Sequence, residues 1–187
     1  MEEQRKPKGR KQAKEYVSWI GYLLLVFLVT FLLIHYVGQR TRVIGSSMES
    51  TLSDGDNLIV DKISYRLKDP ERFDIVVFPY AYQEHTFYIK RVIGLPGETV
   101  QIAENGDIFI DGKVLEEFYG REVIKDPGLA AEPVVLGDDE YFVLGDNRND
   151  SSDSRMPDVG KIQRKDIIGK AWIRIYPLNK IGLIRHQ

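Results

Sequence analysis

The hydrophobic pattern of the chain begins with one long apolar run near the N-terminus. Residues 16–39 contain no Lys, Arg, Asp or Glu, and the run is apolar all round rather than on one stripe. As a helix, about 20 residues cover a hydrocarbon core of roughly 30 Å. Tyr16, Trp19 and Tyr22 stand at one end of the run and Tyr36 at the other, as interfacial aromatic residues do. The pattern predicts a transmembrane anchor over residues 16–39.

The charges on either side of the run predict its orientation. Six Lys or Arg residues precede it, whereas only Arg40 and Arg42 follow it closely. The positive-inside bias then predicts a cytoplasmic basic tail over residues 1–15 and an extracytoplasmic domain over residues 40–187. A cleaved secretory signal is the alternative, but its apolar segment would be shorter and would end in a small-x-small site, which residues 35–40 match poorly.

Beyond the anchor, the apolar residues form short runs bounded by polar breaks with Pro or Gly. Alternation and run length predict strands over residues 57–63, 74–78, 87–94, 99–102, 107–112, 140–144 and 167–176. Asn105 and Gly106 predict a tight hairpin turn, because glycine accepts the positive φ that such a turn requires. No long helical pattern follows the anchor. We therefore expect a mainly β, barrel-like domain.

Composition narrows the classes of function. The net charge is −2, and residues 40–187 hold 20 basic and 25 acidic side chains. A nucleic-acid partner is not expected, because phosphate binding needs a basic face. The absence of cysteine excludes disulfides, thiolate catalysis and cysteine zinc sites.

The three histidines are weak candidates for catalysis or metal binding. His35 lies at the end of the apolar run, His85 in a polar turn and His186 at the C-terminal end. A Ser-His-Asp triad needs a buried, oriented imidazole, and only His85 is a candidate for one. The three are not spaced for shared metal ligation, so no metal site is expected.

A serine and a lysine are the stronger candidates. Ser47 follows the anchor closely, and Lys90 lies in the predicted strand 87–94. A lysine acts as a base only when burial lowers its pKa by several units from about 10.4. Strand alternation puts Lys90 on one face with Tyr88 and Val92 and turns Arg91 to the other face. Taken alone, each residue is equally compatible with a solvated lysine and an ordinary turn serine.

A polar segment over residues 145–155 follows the predicted strand 140–144. A calcium loop is an alternative, but the ligand spacing is wrong and two arginines argue against a cation site. Asp153 and Arg155 are able to pair there, and a hydroxyl of the segment could orient a buried amine.

These motifs together resemble the bacterial type I signal peptidases, in their Gram-positive-like single-span form. The resemblance covers the chain from the anchor to about residue 176, with five motifs in the family's order: residues 47–52, 56–62, 72–78, 88–98 and 145–155. It implies the β-rich fold shared by signal peptidases and self-cleaving repressors. It also implies a serine endopeptidase that removes signal peptides from exported preproteins after a small-x-small motif.

The resemblance assigns roles to individual residues. It implies that Ser47 is the nucleophile and Lys90 the general base, and it places Ser151 beside the lysine. Asp153 and Arg155 are implied as structural support, with Arg91 joining that ion pair. No cofactor is implied. The implied partners are preproteins and the bilayer, at a site near the secretion translocon. From their position, Met48 and nearby apolar residues are expected to touch lipid.

The chain departs from the family pattern at two positions. Ser50 stands where the family has proline, and Gly45 stands where some members have a serine that donates to the oxyanion. The oxyanion would then rely on the backbone N–H of Ser47. Two rivals remain: a self-cleaving repressor-type peptidase, which the anchor argues against, and a degenerate relative that binds signal peptides or a partner without cutting.

Overall fold

The computed structural model describes residues 8–32, 38–80, 82 and 86–184. The chain divides into two units, residues 1–37 and 38–187. His35, His85 and His186, and the interfacial Tyr36, lie outside the described residues. The predictions made for them stay predictions.

The described part of the N-terminal unit is a helix, α1, which spans Lys8–Leu32. It begins before the predicted span because Lys, Gln and Ala in residues 8–15 are good helix formers. The segment Lys14–Phe31 is long and apolar enough to cross a membrane, and none of it is buried by protein. It is the one such helix in the part of the chain that the structure describes.

The C-terminal end of the predicted anchor is corrected by the structure. Gly38 and Gln39 belong to the first strand, so the expected helix over residues 16–39 is too long at that end. Their backbone pairs with a neighbouring strand, at Asp61 and Val60. This pairing is a tertiary contact that the absence of charge in the apolar run does not reveal.

The second unit is built from short strands. These are β1 (Gly38–Arg42), β2 (Asn57–Asp61), β3 (Ile75–Pro79), β4 (Phe87–Gly94), β5 (Thr99–Ile102), β6 (Ile108–Ile110), β7 (Lys113–Val114), β8 (Val134–Val135), β9 (Glu140–Leu144), β10 (Ile162–Gln163), β11 (Gly169–Tyr176) and β12 (Gly182–Leu183). Between β2 and β3 lies α2 (Ser64–Leu67), and single 3₁₀ turns lie at Gly128–Ala131, Arg164–Asp166 and Leu178–Lys180.

The strands form two antiparallel sheets. The larger has the order β1-β2-β11-β3-β4-β9-β10, with β12 added beside β11, and the smaller has the order β7-β6-β5-β8. Gly106 takes φ +89 in the turn between β5 and β6, as its place in the predicted hairpin requires. Outside α1, the described helices are single turns. The fold is mainly antiparallel β behind one N-terminal apolar helix, as predicted.

The first half of β4, in the middle of the larger sheet, has an unpaired edge. β4 pairs with β3 from Phe87 to Arg91, but it pairs with β9 only from Arg91 onward. Residues 87–90 therefore have a strand partner on one side alone within the described chain. Unpaired backbone at such an edge is able to pair with an added strand.

The apolar residues of the second unit collect into three buried clusters. One of them contains Met48 and Leu52 together with Leu58, Ile75 and Ile89. Met48 is only 1% exposed. The expectation that Met48 touches lipid is therefore wrong, because its side chain is buried in the domain core and stabilises the turn that carries Ser47. Ile44, four residues before Met48, is an apolar residue of this segment that does lie at the surface, at 86% exposure.

Candidate active site

Ser47 lies in the turn-rich segment between β1 and β2. The backbone around it is held by Asn147, whose N–H donates to the Ser47 carbonyl at 3.0 Å and whose Nδ2 donates to the Ser46 carbonyl at 3.2 Å. On the other side, Leu52 N–H donates to the Met48 carbonyl at 2.8 Å. The hydrogen bonds made by Asn147 and Leu52 thus fix the backbone around Ser47, whose side chain is half-buried.

Lys90 lies in the middle of β4, and its amine meets Ser47. Lys90 Nζ is 2.8 Å from Ser47 Oγ and 3.2 Å from the carbonyl oxygen of Ile89. The Tyr88 ring lies on the same face, with its centroid 4.8 Å from the amine. Lys90 is only 3% exposed, so water has little access to its amine.

Burial lowers the pKa of the Lys90 amine to about 8, because desolvation disfavours the charged form. The carboxylates of Asp153 and Asp146 act in the opposite direction and partly offset this effect. At pH 7, about one amine in ten is then neutral, against about one in three thousand for a lysine with a pKa near 10.5. A neutral amine beside a hydroxyl can accept its proton.

Arg91 forms a buried ion pair behind the site. Its Nε donates to Asp146 Oδ1 at 2.8 Å and its Nη2 to Oδ2 at 2.6 Å, and neither side chain is exposed. The Thr51 hydroxyl donates to Asp146 Oδ2 at 2.5 Å, and the Tyr119 ring lies 3.5 Å from the guanidinium. Two parallel N–H···O bonds of this kind are strong and directional. The pair therefore ties β4 to the serine turn through Thr51.

This arrangement corrects one expectation. Arg91 was expected to join the pair of Asp153 and Arg155, but its partner is Asp146. The reason is strand alternation: Arg91 points to the face of β4 opposite Lys90, where the backbone after β9 brings Asp146 into reach.

Asp153 and Arg155 do pair with each other. Arg155 Nε lies 2.8 Å from Asp153 Oδ1 and its Nη2 lies 2.9 Å from Oδ2, and both side chains are buried. Asp153 also accepts the N–H of Gly145 at 3.1 Å. Arg155 donates to the carbonyls of Arg148 and Asp126. The pair therefore holds residues 145–155 as one folded loop beneath Lys90.

Ser151 forms no hydrogen bond with Lys90 among the described residues. Its Oγ is buried and has no hydrogen-bond partner in the described part of the chain. A Cβ on Gly145 would lie 2.2 Å from that Oγ and 2.4 Å from the Ser47 carbonyl oxygen. Only glycine at position 145 allows the loop to approach Ser47 this closely. The role of Ser151 beside Lys90 stays a prediction.

The segment of residues 117–125 supports the same loop and was not recognised in the sequence. Glu117 pairs with Arg148 at 2.7 Å, and Arg121 N–H donates to the Asp146 carbonyl at 3.0 Å. Asn149 Nδ2 donates to the carbonyl of Val123 at 2.9 Å. The available signal was Arg148 itself, because a buried arginine needs a carboxylate partner.

An open groove of about 550 Å³ leads to Ser47 and Lys90. Residues 41–48 form one wall and residues 86–90, at the start of β4, form the other, with Asp150 and Ser152 at the rim. The free edge of β4 lines this groove. An extended peptide therefore has both a channel and an unpaired strand to bind.

The two departures from the family pattern both lie in the segment around Ser47. Gly45 takes φ +92, a conformation that favours glycine, and its N–H donates to Asp54 Oδ1 at 2.9 Å. Ser50 is exposed in the turn after Met48. The backbone N–H of Ser47 has no hydrogen-bond partner among the described residues, so it is available to a substrate. Within those residues, no group of three His, Cys, Asp or Glu side chains could hold a metal ion.

Comparison with known proteins gives one consistent result. The family model described as signal peptidase, peptidase S26, matches residues 16–176. A probable signal peptidase I-2 from Synechocystis sp. is 42% identical over 80% of this chain and 68% of its own length. Signal peptidase I P from Bacillus subtilis subsp. natto is 34% identical over 93% of this chain and 96% of its own.

A solved signal peptidase I from Enterococcus faecalis V583 is 33% identical, covers 55% of this chain and 97% of its own, and superposes with a TM-score of 0.46. The family model spans most of the described chain, including the turn with Ser47, β4 and the loop of residues 145–155. The chain belongs to the signal peptidase family, peptidase S26.

Proposed function

We propose that this chain is a membrane-bound serine endopeptidase that removes N-terminal signal peptides from exported preproteins, with Ser47 and Lys90 as its catalytic dyad. One observation carries the proposal: a buried lysine amine lies 2.8 Å from a serine hydroxyl in an open groove. The names of the relatives supply the class of substrate.

The first half of the reaction is acyl transfer. Neutral Lys90 accepts the proton of Ser47 Oγ, and the oxygen attacks the carbonyl carbon of the scissile bond. The free N–H of Ser47 is positioned to donate to the oxyanion that forms. Protonated Lys90 then gives its proton to the leaving amine, and the C–N bond breaks.

The second half releases the signal peptide. Lys90, neutral again, accepts a proton from water, and the resulting hydroxide attacks the ester carbonyl. Collapse of the second tetrahedral intermediate breaks the ester bond, and the proton returns from Lys90 to Ser47 Oγ. The chain's own residues supply every proton transfer in this scheme.

Substrate binding follows from the free edge of β4. An extended signal peptide adds to residues 87–90 through main-chain hydrogen bonds, and the opposite wall of the groove limits the size of its side chains. This geometry suits cleavage after a small-x-small motif such as Ala-x-Ala.

The anchor supplies the location. We propose a basic cytoplasmic tail over residues 1–15, a transmembrane anchor that begins at residue 16 and ends before β1, and a catalytic domain outside the membrane, as the flanking charges favour. An enzyme held at the bilayer meets preproteins that are themselves tethered there, close to the secretion translocon, which raises their effective concentration.

Processing of a labelled preprotein by membranes that carry the full chain tests the proposal. We expect Ser47→Ala and Lys90→Ala to abolish cleavage. The matched controls are Ser50→Ala in the same turn and Lys113→Ala on exposed β7, and both should cleave normally. The proposal is wrong if Ser47→Ala retains full activity, and the nucleophile is misassigned if Ser46→Ala is the inactive serine variant. A folded wild-type chain that binds preproteins without cutting them would identify the degenerate relative instead.

A further inference from the structure

The two ends of the groove differ in chemistry. Near β1 and the start of β4 the lining contains the apolar side chains of Val43, Ile44 and Phe87, together with Thr41, Arg42 and Thr86. At the other end the lining is polar and acidic, with Ser46, Asp150 and Ser152. A bound peptide therefore meets the apolar side chains of the groove on one side of Ser47 and a hydroxyl- and carboxylate-lined rim on the other.

Asp150 is the charged group of the polar end. It is exposed, and its Oδ2 accepts the Ser46 hydroxyl at 2.5 Å. Its backbone N–H donates to the Asn147 carbonyl, which fixes its position within the loop of residues 145–155. Within the described residues, no Lys, Arg or His lies close enough to form an ion pair with it. One carboxylate oxygen therefore remains available to a cation in the groove.

The proposed function decides which part of a substrate meets Asp150. A signal peptide ends in small and apolar residues, which suit the apolar end beside Ile44. The chain that leaves must then extend from Ser47 past Ser46 and Asp150.

We propose that Asp150 is a specificity-determining residue that favours a basic side chain at the first or second position after the cleaved bond. The Ser46 hydroxyl holds the carboxylate at the rim without neutralising it. A surface charge pair changes an affinity by about two- to fivefold. A basic residue gains this effect and an acidic one suffers its reverse, so a lysine peptide should exceed a glutamate peptide by about tenfold in kcat/KM at low salt.

The inference rests on the proposed function, and the experiment separates the two. The full chain in detergent micelles is given fluorogenic peptides with an Ala-x-Ala site followed by Ala, Lys or Glu at each of the first two leaving positions. We expect all neutral peptides to be cut, and the Lys-to-Glu ratio of kcat/KM to be about tenfold in about 0.02 M salt and about twofold in 0.5 M salt, because salt screens an exposed pair.

Three variants identify the source of the preference. Asp150→Asn should bring the ratio close to one, whatever its overall rate. Ser46→Ala removes the hydrogen bond but keeps the charge, so the ratio should survive. Asp138→Asn changes an exposed carboxylate outside the groove lining and should leave the ratio unchanged.

The possible outcomes lead to different conclusions. If no peptide is cut, the proposed function fails. If all peptides are cut at equal rates, or if Asp150→Asn keeps the wild-type ratio, the role of Asp150 is refuted and the proposed function stands.

Discussion

Replacing Lys90 with methionine should abolish activity and stabilise the protein. In the folded chain the pKa of Lys90 is lowered to about 8 from about 10.5, mainly by desolvation. Below pH 8 the folded state must hold a buried charge that the unfolded chain holds in water. One pKa unit corresponds to about 1.4 kcal/mol, so this costs about 3 kcal/mol at pH 7.

The sign and size of the effect both depend on pH. Between pH 8 and 10.5 the unfolded chain binds the proton and the folded chain does not, so the stability of the wild type rises with pH. The cost falls to about 2 kcal/mol at pH 9 and nearly vanishes above pH 10.5. The advantage of Lys90→Met over the wild type should therefore decrease by about 1 kcal/mol from pH 7 to pH 9.

Pulse proteolysis of the full chain in urea and mild detergent measures this difference. Methionine keeps most of the length of the lysine side chain and fills the same space. Lys113→Met, on the exposed strand β7, is the control and should show no such trend. The account of Lys90 is refuted if Lys90→Met destabilises the protein at pH 7, or if its effect is the same at pH 7 and pH 9.

Three further predictions concern the surroundings of the dyad. Asp146→Ala leaves the buried charge of Arg91 uncompensated, so it should lower the free energy of unfolding by about 3–5 kcal/mol in urea titrations. Glu71→Ala, in the exposed pair with Lys68, is the control and should lower it by under about 1 kcal/mol. Equal effects of the two variants would contradict the role given to burial. Tyr88→Ala admits water to the Lys90 amine and should move the acidic limb of kcat/KM from about 8 towards the ordinary lysine pKa, and an unmoved limb would show that the ring does not shield the amine. Gly145→Ala places a methyl group 2.4 Å from the Ser47 carbonyl oxygen, so it should suppress preprotein cleavage, while Gly182→Ala has open space and should not; normal cleavage by Gly145→Ala would contradict the close approach.

Local sequence pattern was sufficient to predict the central strands. β4 and β9 lie where alternation and apolar run length predicted them, and the hairpin turn lies at Gly106. These elements are set by neighbouring residues, so a single sequence contains their signal. Ser47 and Lys90 were singled out by motif resemblance, and the fold brings their side chains within hydrogen-bond distance.

Short strands were harder to predict because they depend on partners. β7, β8, β10 and β12 have two residues each, too few to display a period. Gly38 and Gln39 of β1 were assigned to the anchor because they carry no charge. Its strand form depends on pairing with β2, and such pairing is not encoded within the segment itself.

The sequence also did not predict ion pairs between residues that are far apart in the chain. Arg91 and Asp146 are 55 residues apart in the chain, and nothing in either local motif states that they meet. Met48 was misplaced for a related reason, since its position next to the anchor suggested lipid whereas the core of the domain covers it. Both errors concern residues whose surroundings come from distant parts of the chain.

The central claim is that the folded protein lowers the pKa of the Lys90 amine, and NMR can observe this pKa directly. Lysine labelled at Cε in the full-length Ser47→Ala variant, compared with Ser47→Ala/Lys90→Arg, identifies the signal of Lys90 in detergent micelles. The account predicts that this lysine titrates near pH 8, well below the reference lysine value of about 10.4. A Lys90 signal that titrates at the reference value would contradict it.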